Sequence, residues 1–178
     1  MILFKSRLVL FALMSYAFLS CGEEDVVVEG MSAVYISSTD FTKVYSTDTV
    51  DFKDLGNIIL SGQYIFVNER YEGIHVIDNS NPLKPIKKHF WKIPGNLEFT
   101  LVGKTLYADN SVHLLVIDIS DFSNIKVINY IKDLYIENPP KEPRPPGYKG
   151  MFTCVDKKNG IHIGGEMKMI VNPLCEAY

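Results

Sequence analysis

The chain reads as an all-β protein built from repeated four-stranded antiparallel units, and three observations carry that reading. Val76-Ile77-Asp78 is answered by Val116-Ile117-Asp118 forty positions later. Between them, short runs rich in β-branched and aromatic residues alternate with clusters of turn formers. Beyond the N-terminal segment, no stretch keeps apolar residues at helical spacing, so the strand reading prevails throughout.

Residues 1–20 are the exception. Lys5 and Arg7 form a short positive region, Leu8 to Leu19 is an apolar run, and Ser20 supplies a small residue before Cys21. That order describes a secretory signal helix. A run of about a dozen apolar residues is too short for a permanent membrane span, which needs roughly 20. Phe18-Leu19-Ser20-Cys21 resembles a bacterial lipobox, with Phe18 where Leu is usual. The resemblance implies that Cys21 is acylated and becomes the mature N-terminus. Gly22-Glu23-Glu24-Asp25 then lies beside the lipid, as in the surface-export signals of lipoproteins from the phylum Bacteroidota. The expected address is therefore the outer membrane or cell surface of a Gram-negative bacterium, with the membrane as a partner through the lipid.

Removal of residues 1–20 shifts the net charge from −3 to −5 and leaves 158 residues, enough for one domain with a core. The acidic balance argues against nucleic acid as a partner, because phosphate binding draws on a basic excess. Cys154 and Cys175 remain in an oxidising compartment, where a disulfide closing a loop of about twenty residues competes with two free thiols. Sequence leaves that choice open.

Residues 21–31 read as an acidic tether without a trusted period. A repeat domain is expected over residues 32–178, opening with β-type runs at Ala33 to Ile36 and Phe41 to Tyr45. The first unit, about 55–95, takes Ile58 to Leu60, a turn at Ser61-Gly62-Gln63, Tyr64 to Val67, a polar break at Asn68-Glu69-Arg70, and Gly73 to Asp78. The second, about 96–135, takes Phe99 to Val102, a turn at Gly103-Lys104, Thr105 to Ala108, a break at Asp109-Asn110-Ser111, and His113 to Asp118. A period near 40 made of four short strands is the pattern of a propeller blade. Asp78 and Asp118 are expected to close turns through backbone amides. Ile86 to Phe90 and Ile125 to Tyr130 mix charged and apolar residues as outer edge strands do. The proline-rich stretch 137–147 reads as a stiff surface excursion. Met151 to Asp156 and Gly160 to Glu166 are expected to form the opening hairpin of a partial third unit, 151–178, turning at Lys157 to Gly160.

Gly73 to Pro82, followed by Ile93-Pro94-Gly95-Asn96 and Leu106-Tyr107-Ala108-Asp109, resembles the LVIVD-repeat, β-propeller-like lipoproteins of Bacteroidota. The resemblance runs from about Met31 to Tyr135 and implies a fold and an address, not a chemistry. Members of that kind are usually longer. About two and a half blades predict a truncated copy, an open stack of sheets, or one part of an oligomer.

No catalytic constellation stands out. His75, His89, His113 and His162 lack the spacing of a zinc site, so no metal or other cofactor is expected. Glu69, Glu98 and Asp109 are the candidate carboxylates for a propeller-type carbohydrate hydrolase or lyase, a reading that rests on fold analogy. The leading expectation is a non-enzymatic scaffold for protein or glycan. Its binding loops would hold Asn68, Glu69, Arg70 and Tyr71 in one unit and Asp109, Asn110 and His113 in the next. An inactive remnant is the remaining alternative.

Overall fold

The computed structural model describes residues 24–134, 148–173 and 175–177; the signal segment, Cys21 and the proline-rich stretch 137–147 lie outside them. Among the described residues the fold is all-β, with three sheets, one four-residue α-helix and one turn of 3-10 helix at Lys157–Asn159. The strands run in order β1 (Val27–Ile36), β2 (Tyr45–Thr47), β3 (Leu55–Ser61), β4 (Tyr64–Glu69), β5 (Gly73–Asp78), β6 (Ile86–Lys92) and β7 (Phe99–Val102). Then come β8 (Thr105–Asn110), β9 (His113–Asp118), β10 (Lys126–Ile131), β11 (Gly150–Phe152), β12 (Ile161–Val171) and β13 (Cys175–Ala177).

The first blade is the sheet β2-β6-β5-β4-β3 and the second is β10-β9-β8-β7. Each opens on the same two-residue turn. Gly62 and Gly103 both have φ near 60°, with a negative φ at the residue that follows, as in a type II′ hairpin. A Cβ at either glycine would meet nothing within 4 Å, so the demand is one of backbone conformation alone. At the same end of each blade, where Asp78 pairs with Tyr64 and Asp118 with Thr105, the two carboxylates accept the N–H of Ser80 and Ser120 at 2.9 Å, closing the turn into the next strand. The N–H and hydroxyl of each serine hold these half-buried acids below the usual carboxylate range.

Strand alternation sends Phe66, Ile74 and Val76 to one face of the first blade, and Leu106, Ala108, Leu115 and Ile117 to the facing side of the second. These side chains, with Trp91 and Ile93, form one shared core, each at most 2% exposed. Burying a side chain of this size contributes roughly 1.5–3 kcal/mol. Trp91 sits against Phe66 and Phe122, and its Nε1 donates to the Phe122 carbonyl at 3.0 Å.

The structure departs from the sequence reading at both ends. Val27 to Met31, read as tether, are part of β1, which pairs along its whole length with β12, Val27 facing Val171 and Ile36 facing Ile161. Its other edge meets β11 in parallel, with Met31 opposite Phe152. Met151 to Asp156 and Gly160 to Glu166 therefore do not form a hairpin; the N-terminal strand lies between them, in the order β12-β1-β11-β13. Pairing over so great a separation in sequence leaves no local period to read. Nor do Phe41 to Tyr45 form one strand: Ser37 caps helix α1 (Ser38–Phe41) by accepting the Asp40 N–H, and Phe41 is buried at its end. The strand begins only at Tyr45, and it covers the Phe90–Lys92 end of β6, while Ile86 to His89 remain at the edge of the sheet as expected.

Candidate functional site

Few of the residues expected in free loops lie in them. Asn68 and Glu69 end β4, and Asp109 and Asn110 end β8. Glu69 is 3% exposed, and its carboxylate accepts the N–H of Lys53 and Asp54 and bonds His75 Nε2 at 2.9 Å. Burial alone pushes its pKa up; the Asp54 N–H, the His75 ring and the Lys53 N–H together outweigh burial and hold it below the usual range. His75 is itself buried, with its ring between Phe52 and Phe90.

The second blade uses the same positions similarly. Asn110 Nδ2 donates to the Pro94 carbonyl. Asp109 accepts the N–H of Leu97 at 2.7 Å and of Glu98 at 3.0 Å, and Asn96 Nδ2 at 2.7 Å. Burial raises its pKa, the donors of Glu98, Leu97 and Asn96 oppose that, and the neighbouring Glu98 carboxylate adds to the rise. Asn68 Nδ2, in turn, reaches Asn96 Oδ1 at 2.8 Å and the Gly73 carbonyl at 3.1 Å. Asn96 thus ties the two blades together, a role that neither composition nor spacing signals.

Tyr71 and Ser111 occupy the hairpin tips with left-handed backbones, φ 63° and 59°. Both face the third sheet. The Tyr71 hydroxyl is 3.4 Å from the Gly165 nitrogen and carbonyl, and Ser111 Oγ is 3.4 Å from the His162 carbonyl. A Cβ at Gly164 would fall inside the Tyr71 ring. His113 Nδ1 accepts the Asp133 N–H at 2.9 Å, and the ring lies beside Phe41 and Tyr130. Among the expected loop residues, Arg70 alone has an exposed head group, 3.8 Å from the Asp54 carboxylate. Cys154 and Cys175 are joined by a disulfide with Cα atoms 5.4 Å apart.

Two concavities stand out. One, of about 210 Å³, lies on the outer side of the first blade between Tyr45, Val50, Lys53, Glu69, Phe90 and Lys92. The other, of about 240 Å³, lies between the blades, beside their glycine turns. Tyr64, Phe66 and Phe122 form its aromatic floor, and Ser61, Ser120 and Lys104 its polar rim. The Tyr64 and Phe122 rings meet edge to face at 4.9 Å. Sequence reading missed this cleft because its residues come from two units and converge only when the blades pack. Among the described residues no group of His, Cys, Asp or Glu is placed to hold a metal ion. No helix among them is long and apolar enough to cross a membrane.

Residues 54–90 and 102–131 match the LVIVD repeat. This chain carries two LVIVD repeats. The first covers nearly the whole of β3 to β6, and the second runs from the turn before β8 through β10. The shared device of an inward polar side chain at the end of β4 and β8 is therefore a feature of both LVIVD repeats here. No curated protein and no solved structure matches the chain.

Proposed function

We propose that the mature chain is a lipid-anchored scaffold at the cell surface that binds saccharide in the cleft between its two LVIVD blades. The address rests on Cys21 and the signal-like segment before it. The cleft carries the ligand class. An aromatic floor suits the C–H faces of a sugar ring, while the Ser61 and Ser120 hydroxyls and the Lys104 ammonium offer hydrogen bonds at the rim. Binding is favoured over hydrolysis because Glu69 and Asp109 spend their oxygens on backbone N–H groups and a buried imidazole. A glycosidase needs one such acid free to give a proton and a second facing it across the substrate.

The test is a glycan array probed with the full chain in detergent, beside Ser61→Trp, which fills the mouth of the cleft. Binding that falls at least tenfold in the variant supports the reading. No bound glycan, or equal binding by both proteins, overturns it, and release of reducing sugar would replace it with the hydrolase.

A further inference from the structure

The polar groups around the cleft between the blades are unevenly divided between donors and acceptors. Ser61, Tyr64, Lys104 and Ser120 supply the polar side chains of its lining, and no aspartate, glutamate, asparagine or glutamine is among them. A neutral sugar ring has as many O–H hydrogens to give as oxygens to receive, so it is matched by carboxylate and amide oxygens as much as by donors. Here the side-chain acceptors are hydroxyl oxygens alone. Ser120 Oγ donates to Asp118 Oδ1 at 2.6 Å, which leaves its oxygen as an acceptor. The Tyr64 hydroxyl accepts from Gln63 Nε2 at 3.4 Å and keeps its own hydrogen to give. Lys104 adds three N–H donors and no acceptor.

Lys104 is also the one charged side chain of the lining. It is exposed, and it belongs to none of the ion pairs among the described residues. Asp118 is the carboxylate that feels it. The Ser120 hydroxyl and N–H, and after them the Lys126 and Lys104 ammonium groups, hold Asp118 below the usual range against the opposing effect of burial. Asp118 already accepts both Ser120 hydrogens and has Lys126 opposite it across β9 and β10 as a second cation. Asp121 is occupied in the same way, by the N–H and hydroxyl of Ser123. Lys104 is thus left without a counter-ion of its own at the mouth of the cleft.

We infer that the saccharide held in this cleft is an acidic one, its carboxylate or sulfate group paired with Lys104 while a face of the ring lies on Tyr64 and Phe122. The inference rests on the saccharide reading of the cleft and narrows it to a ligand class. An anionic oxygen accepts without giving a hydrogen, which is what a donor-rich rim lacking carboxylates and amides calls for. A charge-assisted bond to an ammonium is also about twice as strong as a neutral one. The edge-to-face rings of the floor hold the sugar skeleton, and Lys104 reads its charge. The chain as a whole is acidic, with a net charge of −3, but that charge is spread along the sequence. Salt screens it beyond about 8 Å at physiological ionic strength, so the cation at the mouth decides.

The test is titration calorimetry of the full chain in detergent with two matched pairs of probes. One is an oligogalacturonate against its methyl ester, the other a sulfated galactan oligosaccharide against its desulfated form. Within a pair the skeleton is constant and the anionic group changes. The wild type is expected to bind the charged member of a pair about fivefold tighter or more at low salt, with the ratio falling at high salt. The pair that shows the preference tells carboxylate from sulfate. Lys104→Gln brings the ratio close to one and Lys104→Arg restores it, with thermal unfolding confirming that both variants are folded. Equal binding of charged and neutral members, or a preference that survives in Lys104→Gln, overturns the inference. If the neutral members bind as well as the charged ones and Ser61→Trp removes that binding, the saccharide reading stands while the acidic class falls. Binding of no member of either pair also overturns the inference, and the glycan array then decides the saccharide reading separately.

Discussion

Glu69 and Asn110 hold equivalent places at the ends of β4 and β8 and make the same tie with opposite polarity. Glu69 accepts two N–H groups from the bend at Lys53 and Asp54, whereas Asn110 donates to the carbonyl of Pro94. In each blade a buried polar side chain thus fastens the chain that leads into that blade. The charged version carries an added requirement, the imidazole of His75 beneath it.

Removing the Glu69 carboxylate is expected to be costly. Glu69→Ala leaves the Lys53 and Asp54 N–H groups and His75 unpaired, and a broken buried pair costs roughly 3–5 kcal/mol. Urea unfolding at pH 7 measures it. Glu69→Gln, which keeps an acceptor oxygen, loses less. Because the folded pKa of Glu69 lies below its ordinary value, its contribution is complete above the normal glutamate range and is lost as pH falls through the folded value. The acid limb of the wild-type stability curve is correspondingly steeper than that of Glu69→Gln.

Asp109 has the opposite sign. Its raised pKa means that the ionised side chain costs stability at neutral pH, and the cost is relieved as pH falls through the folded value. Asp109→Asn keeps Oδ1 as acceptor for Leu97 and Glu98 and matches Asn68, its counterpart in the first blade. The variant is expected to melt higher than wild type at pH 7, with the difference shrinking as pH falls through the folded value of Asp109 toward the ordinary aspartate range. Asp109→Ala instead orphans those donors and lowers stability by about 1–3 kcal/mol.

The seat of the third sheet on the repeats depends on the Tyr71 ring lying against Gly164, where a side chain would meet it. Gly164→Ala forces the ring out and is expected to cost about 1–3 kcal/mol, as overpacking does. Tyr71→Ala combined with Gly164→Ala should cost less than the two single changes together. A double-mutant cycle by denaturant titration gives the coupling; strict additivity would show that the contact is idle.

Reduction tests the other tie of that sheet. The Cys154–Cys175 bridge closes a loop of 21 residues, worth about 3 kcal/mol in the chain-entropy account. Dithiothreitol is expected to lower the melting temperature of the wild type, while a Cys154→Ser, Cys175→Ser double variant starts low and does not respond.

The anchor is checked by intact mass of the protein from the membrane fraction of its host. A species that begins at acylated Cys21 is expected, and Cys21→Ala should move the protein out of that fraction. An unlipidated wild-type chain retaining Met1 would remove the anchor from the proposal.

The repeat is legible along the chain. Hairpin turns at Gly62 and Gly103, closing aspartates at Asp78 and Asp118, and the Val-Ile-Asp runs are local signals, because turn geometry and strand alternation act over a few residues. They predict an all-β fold of repeated antiparallel units, which the structure has. Packing, by contrast, makes Val27 to Met31 a strand between β11 and β12, turns Asn68, Glu69, Asp109 and Asn110 inward as ties, and brings Tyr64 and Phe122 together in one cleft. In each case the partner lies far away in the chain or in the other blade. A polar residue at a strand end looks the same in sequence whether it meets water or a buried backbone amide, and packing alone settles which it meets.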